Sequence, residues 1–162
     1  MPEIINQNGQ YYKNVTLNNL IDLFDTIATA NNGIQSHSFG DIWEIDVTER
    51  NYAVSHLSIE QAQYLPNEIQ YDFKLYVMDL VSKDESNEND VLSDTLQIIG
   101  DLISRLKNAR DLNIDTNTDY RLQENISCQP FTERFDDDVS GWVADISIRV
   151  FFDYSACYGD IM

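Results

Sequence analysis

The chain has 162 residues, 43% of them hydrophobic, which suits one domain whose core removes roughly 70% of the unfolded chain's surface from water. That composition excludes intrinsic disorder, a collagen-like repeat and a disulfide-stapled miniature fold. Asp and Glu number 28 against 10 Lys and Arg, a formal net charge of −18, which disfavours binding to nucleic acid or to an anionic membrane, since both rely on clustered cations.

The first residues, Met1-Pro2-Glu3-Ile4-Ile5-Asn6-Gln7-Asn8, offer neither a basic n-region nor an apolar h-region, and no apolar run approaches ~18 residues. A soluble chain without a signal peptide is expected. From Thr16 onward, Leu17, Leu20, Ile21, Phe24, Ile27 and Ala28 recur at helical spacing and predict an amphipathic helix. Thr16 is its expected N-cap, and Asn31-Asn32-Gly33 its left-handed stop. Between Phe39 and Val47, Trp43, Ile45 and Val47 alternate with Ile42, Glu44 and Asp46, the period of a half-buried strand. Thr48-Glu49-Arg50-Asn51 is expected to turn it back, as a hairpin, into Tyr52-Ala53-Val54-Ser55-His56-Leu57.

Ile69, Tyr71, Phe73, Leu75 and Val77 share one face of a further strand, with polar residues mostly opposite. The segment from Ser82 to Asp90 has no apolar residue and carries four acids against one lysine, so it reads as a solvated loop. A second helix follows, capped by Asn89 or Asp90. Its apolar positions Val91, Leu92, Leu96, Ile98, Ile99, Leu102, Ile103 and Leu106 make a face wide enough to lie across a sheet, while Asp94 and Asp101 keep the outer face polar. Tyr120 to Gln129 reads as a strand ended, or pushed to an edge, by Pro130. The acidic turn Asp136-Asp137-Asp138 precedes the last strand, in which Trp142, Ala144, Ile146, Ile148, Val150 and Phe152 face one way and Asp145, Ser147, Arg149 and Asp153 the other. This order lacks repeated βαβ units. It predicts a single α+β domain over residues 1–162, an antiparallel sheet packed against two main helices.

Catalytic signatures are missing. The sequence has no GxSxG, Walker, GxGxxG or HExxH pattern, and its two histidines, His37 and His56, stand in no recognisable setting and read as structural. We therefore expect no enzyme activity, no catalytic residues and no cofactor. Cys128 and Cys157 form no CxxC or Cys/His group and read as reduced interior thiols. Clustered carboxylates at Asp136, Asp137 and Asp138 are hard oxygen ligands, but three adjacent side chains of an extended chain cannot converge on one ion. They read as a solvated turn and not as a metal site.

The run Phe131-Thr132-Glu133-Arg134-Phe135-Asp136-Asp137-Asp138-Val139-Ser140-Gly141-Trp142-Val143-Ala144-Asp145-Ile146-Ser147-Ile148-Arg149-Val150 resembles the terminal region of small structural proteins of tailed bacteriophages. The recognisable pattern is F-x-x-R-F-D-D-x-x-S-G-W-x-A-D-I, followed by an alternating strand and a closing cysteine. The upstream order of elements is similar to the tail-terminator family and to related connector rings at the head–tail joint. That resemblance implies a structural virion protein that assembles with itself into a ring, a hexamer or alternatively a dodecamer. Such a ring caps the tail tube, meets neck or portal-associated proteins, and lets DNA pass without specific binding or membrane contact. It also implies a location in the virion, with assembly in the host cytoplasm.

A ring of copies each near −18 would repel phosphate and let DNA slide through. The alternative that uses the same charge is an acidic DNA mimic inhibiting a host DNA-binding enzyme. For the ring, aromatics beyond the needs of a core suggest Phe151, Tyr154 and Tyr158 as interface residues, together with the acidic loop residues Asp84, Glu85 and Glu88.

Overall fold

The computed structural model describes residues 4–5, 11–12, 15–41, 52–82, 84, 86–108, 120–132 and 139–152. Two short antiparallel strands, β1 (Ile4–Ile5) and β2 (Tyr11–Tyr12), precede helix α1 (Leu17–Ala30). α1 opens on a capping box: the Thr16 hydroxyl accepts from the Asn19 N–H at 3.2 Å, and the Asn19 side chain accepts from the Thr16 N–H at 2.9 Å. The helix buries Leu20, Leu23, Phe24, Ile27 and Ala28. Its end differs from the expected left-handed stop. Asn31 is extended (φ −85°, ψ 121°), and its side chain instead accepts from the Gly33 N–H at 2.8 Å, closing the turn through an Asx-type bond.

The main sheet has six strands: β3 (Ser36–Phe39), β4 (Val54–Leu65), β5 (Glu68–Leu80), β6 (Tyr120–Leu122), β7 (Ser127–Thr132) and β8 (Val139–Phe151). Their order is β3-β4-β5-β8-β6, with β7 also pairing β8, and helix α2 (Glu88–Asn108) lies against β5 and β8. The fold is α+β, as its alternating strands and two amphipathic helices foretold.

Both helices cover one face of the sheet. Phe73, Leu75 and Val77 of β5 and Ala144, Ile146, Ile148 and Val150 of β8 pack there against α1 and against Ile99, Leu102 and Leu106 of α2. The rings of Phe24 and Phe73 meet 5.3 Å apart, and the Tyr120 hydroxyl donates to the Leu106 carbonyl, joining β6 to the last turn of α2. Burying side chains of this size contributes about 1.5 to 3 kcal/mol each before entropy is charged.

Several expectations are corrected. β3 runs parallel to β4, with Ser36 opposite Val54 and Phe39 opposite Leu57, and β5 holds the other edge of β4, so residues 54–57 have no edge left for the hairpin expected with residues 39–47. The expected strand residues 42–47 and the turn 48–51 lie outside the described residues. A hairpin does join β4 to β5 through Pro66-Asn67, where Pro followed by Asn at φ 58° is the signature of a type II turn. α2 begins at Glu88, so both expected caps, Asn89 and Asp90, lie inside its first turn, and Leu96 is exposed on it while Thr95 is buried. The Thr95 hydroxyl is satisfied by donating to the Val91 carbonyl at 2.7 Å. The strand expected from Tyr120 to Gln129 is two strands, β6 and β7, and β7 continues through Pro130 at the sheet edge, where proline's missing N–H is tolerated.

Candidate functional site

Strand register arranges the face of the sheet turned away from the two helices in rows that change character along the strands. Val54, Met78, Gly141 and Phe131 form one row, and His56, Tyr76, Val143 and Gln129 the next. Val54, Met78, Phe131 and Val139 are buried in a second, smaller apolar cluster. Towards the other end the rows turn polar: Ser58, Lys74, Asp145 and Ser127, then Gln61, Asp72 and Ser147, then Gln63, Gln70, Arg149 and Arg121.

These polar side chains are tied to one another. Asp72 accepts from Gln61 Nε2 at 2.7 Å, from Gln70 Nε2 at 2.9 Å and from the Ser147 hydroxyl. Partial burial pushes its carboxyl up, but the hydrogen bonds from Ser147, Gln70 and Gln61 together outweigh that and hold it below the usual Asp value. Lys74 reaches Asp145 at 3.2 Å, and that bond raises the ammonium's affinity for its proton. The Arg121 guanidinium donates to both carboxylate oxygens of Glu68, and Arg149 Nε donates to Gln70 Oε1 at 2.9 Å.

Gln123 fills the gap between β6 and β7. Its backbone N–H donates to the Ser147 carbonyl at 3.2 Å, its Oε1 accepts from the Ser147 N–H, and its Nε2 donates to the Asp145 carbonyl at 3.1 Å. One side chain thus supplies β8 with the ladder bonds of a missing strand residue. Beside it lies a cleft of about 430 Å³, lined by Gln70, Arg121, Leu122, Gln123, Glu124, Ser147 and Arg149.

The histidines join strands. Ser38 and Ser55 alternate with His37 and His56 across the parallel β3–β4 pair: His37 Nδ1 bonds Ser55 Oγ, and His56 Nδ1 bonds Ser38 Oγ at 2.7 Å. His56 Nε2 lies 2.9 Å from the Gly40 carbonyl, which can only accept, so Nε2 carries the proton and Nδ1 accepts from the Ser38 hydroxyl. His56 is buried. Cys128 is a half-buried free thiol, and burial, then the nearby Asp145 charge, raises its pKa, which keeps it in the unreactive protonated form. Cys157 and Asp136 to Asp138 lie outside the described residues. Among the described residues no group of three or more His, Cys, Asp or Glu is gathered to hold a metal.

Of the expected interface residues, Phe151 is 48% exposed at the end of β8, opposite Glu68, and Asp84 is exposed beyond the end of β5. Glu88 is the half-buried first residue of α2, while Glu85, Tyr154 and Tyr158 lie outside the described residues. Phe151 and Asp84 are not brought together. They mark opposite ends of β5 and β8, antiparallel strands of 13 residues each, about 40 Å long. Exposed Tyr64 stands at the Phe151 end, stacked edge-on against Phe152 at 5.3 Å, and exposed Leu80 at the Asp84 end.

Asp84 is itself held in place, accepting from the Ser82 hydroxyl at 2.9 Å and the Ser86 N–H at 3.2 Å. Bonds from the Ser86 side chain and backbone, then from Ser82, lower its pKa. Sequence reasoning missed the polar rows. Their signal was the matched polar alternation of Gln70, Asp72 and Lys74 with Asp145, Ser147 and Arg149, but the register that pairs them is not visible in either strand alone. No protein-family model matches the chain, and no curated protein matches it.

Proposed function

We propose that this chain is a structural protein of a tailed-bacteriophage virion that assembles into a ring at the head–tail junction, as a tail terminator or connector. The ring caps the tail tube, joins it to neck or portal-associated proteins and lets DNA pass. The observation that carries this reading is the placing of exposed apolar side chains at both ends of the long strands, Tyr64 and Phe151 at one and Leu80 at the other. Two different patches at opposite ends of one subunit favour head-to-tail contacts, and head-to-tail contacts that close make a ring. The resemblance of residues 131–150 to phage structural proteins supports the same reading, as does a net charge of −18 per copy around a DNA channel. No helix among the described residues is long and apolar enough to cross a membrane.

The acidic DNA-mimic reading draws less support. Exposed Asp90, Asp94 and Asp101 on α2 are interrupted by Gln97, and no exposed run of carboxylates repeats at phosphate spacing among the described residues.

The test is mass measurement and electron microscopy of the purified protein, alone and mixed with tail tube protein. A closed ring, or a cap on the tube, is expected. A chain that stays monomeric in both conditions and is bound by a host DNA-binding enzyme overturns the proposal.

A further inference from the structure

β4 is longer than the strand that covers it. β3 pairs with Val54 to Leu57 only, and beyond Leu57 no other strand among the described residues lies along the outer side of β4. After the bulge between Ile59 and Gln61, regular pairing with β5 resumes and fixes which backbone groups face outwards. Leu65 and Glu68 close a two-residue turn as a bonded pair. The alternation of an antiparallel ladder then makes Gln63–Gln70 and Gln61–Asp72 bonded pairs too, and Ala62 turns its N–H and C=O away from β5. Glu60, Gln61, Ala62 and Gln63 are exposed, and Tyr64 is 62% exposed. Native sheets blunt such an edge with lysine, proline or a very short strand. Gln61-Ala62-Gln63-Tyr64-Leu65 carries neither residue, whereas the other described edges are blunted: β3 and β6 are four and three residues long, and β7 contains Pro130. Two copies that join by continuing the sheet therefore have this same edge of β4 to offer each other.

We infer that the outer edge of β4 is an interface with a second copy of this chain, the two edges pairing antiparallel across a two-fold axis at Gln63. That register is self-complementary. Gln63 faces its own counterpart, and a primary amide both donates to and accepts from another. Ala62 and Tyr64 stand on the helix side of the strand, opposite Tyr71 and Ile69 of the main core, so each Tyr64 ring lies over the small Ala62 of the other copy. No charged residue lies between Glu60 and Glu68, and the antiparallel alignment sends the two Glu60 side chains to opposite ends of the contact. Two chains of −18 thus meet there without acid facing acid across the new strand pair. The interface goes beyond the ring reading and does not need it. It leaves Phe151 and Leu80 to head-to-tail contacts, and its two-fold symmetry joins two chains, or two rings face to face.

Disulfide capture tests the register. Gln63 spends its backbone groups on β5, so it faces its counterpart as a non-bonded pair with Cα atoms about 4.5 Å apart, close enough for a disulfide. In a Cys128→Ser/Cys157→Ser background, Gln63→Cys is expected to give a covalent dimer under mild oxidation, while Gln129→Cys, exposed on β7, stays unlinked. Ala62→Pro removes an N–H that β5 does not use, and Ala62→Lys sets a charge on the edge. Each is expected to raise the dissociation constant of the pair at least about tenfold in sedimentation equilibrium, with an unchanged circular dichroism spectrum. Should the proline disturb the fold, the lysine variant carries the test. Equal crosslinking at Gln63→Cys and Gln129→Cys, or association unmoved by Ala62→Lys, overturns the interface. A chain that stays monomeric at every concentration also overturns it and leaves the edge to a strand from another protein. A Gln63-linked dimer from a chain that never closes a ring supports the interface and counts against the ring reading alone.

Discussion

The indole N–H of Trp142 donates to the backbone carbonyl of Leu92 at 2.8 Å, so β8 is tied to the second turn of α2 by a bond that crosses the core boundary. Trp142 is half-buried and packs against the main core. Trp142→Ala is expected to cost about 3 kcal/mol, and Trp142→Phe, which keeps most of the packing but not the bond, about 1 kcal/mol. Urea unfolding of both variants measures the difference; equal losses would assign the whole effect to packing.

Gly141 precedes that tryptophan because nothing larger fits. A Cβ there would stand 1.9 Å from the Val77 carbonyl oxygen and 2.8 Å from the Met78 Cα, both backbone atoms that cannot turn aside. Gly141→Ala must push β8 away from β5 and is expected to cost at least ~2 kcal/mol, read as a lower melting temperature. An unchanged melting temperature would show that the two strands separate there freely.

On α2, adjacent turns carry leucine and isoleucine to different fates. Leu96 is 41% exposed and Ile99 is 1% exposed. Ile99→Ala is expected to destabilise by about 3 kcal/mol, and Leu96→Ala by less than about 0.5 kcal/mol. Chemical denaturation of the pair decides whether the face of α2 turned to the core is the one described.

Two aspartates shift stability with pH in opposite senses. The Asp72 carboxyl is held below its ordinary value of 3.8, so its stabilising effect is complete above that value and is lost as pH falls through the depressed folded one. Asp72→Asn is expected to be less stable than wild type at pH 7, with the gap closing in acid. Asp79 is raised, first by burial and further by Asp94, against the opposing bond from the Leu80 N–H. Its charged form is a cost above the raised value and is relieved as pH falls through it. Asp79→Asn is therefore expected to stabilise the protein at pH 7 and to lose that advantage below the ordinary carboxylate range. Thermal melts from pH 2.5 to 7 follow both.

What could be read in the sequence depended on how many faces of an element are buried. β5 and β8 alternate clearly because the helices cover one side, and Thr16 announces α1 because a capping box is local. The outer half of β4, Glu60-Gln61-Ala62-Gln63-Tyr64, is exposed on both faces and so carries no alternation to detect; backbone pairing with β5 alone makes it a strand. Leu96 was assigned to the core from its type, while Thr95 occupies the inward position by satisfying its hydroxyl within the helix. For the site, Phe151 and Asp84 were found singly, but their separation and the Arg121–Arg149 row depend on which strands pair, and β8's pairing with β5 and β6 joins residues far apart in the chain.

β8 also determines when the fold can be completed. It lies inside the sheet, flanked by β5 on one side and by β6 and β7 on the other, yet it follows all of them in chain order. During synthesis α1 and the β4–β5 hairpin can form from local contacts, while the inner edge of β5 stays open and the underside of α2 lacks the strand it packs on. Everything between Leu80 and Val139 must emerge before the two strands meet, so the slow step is closure of that long loop. Until then the nascent chain presents a 13-residue strand edge able to pair with other chains. In a cell producing many copies at once, that interval is when chaperone binding competes with misassembly.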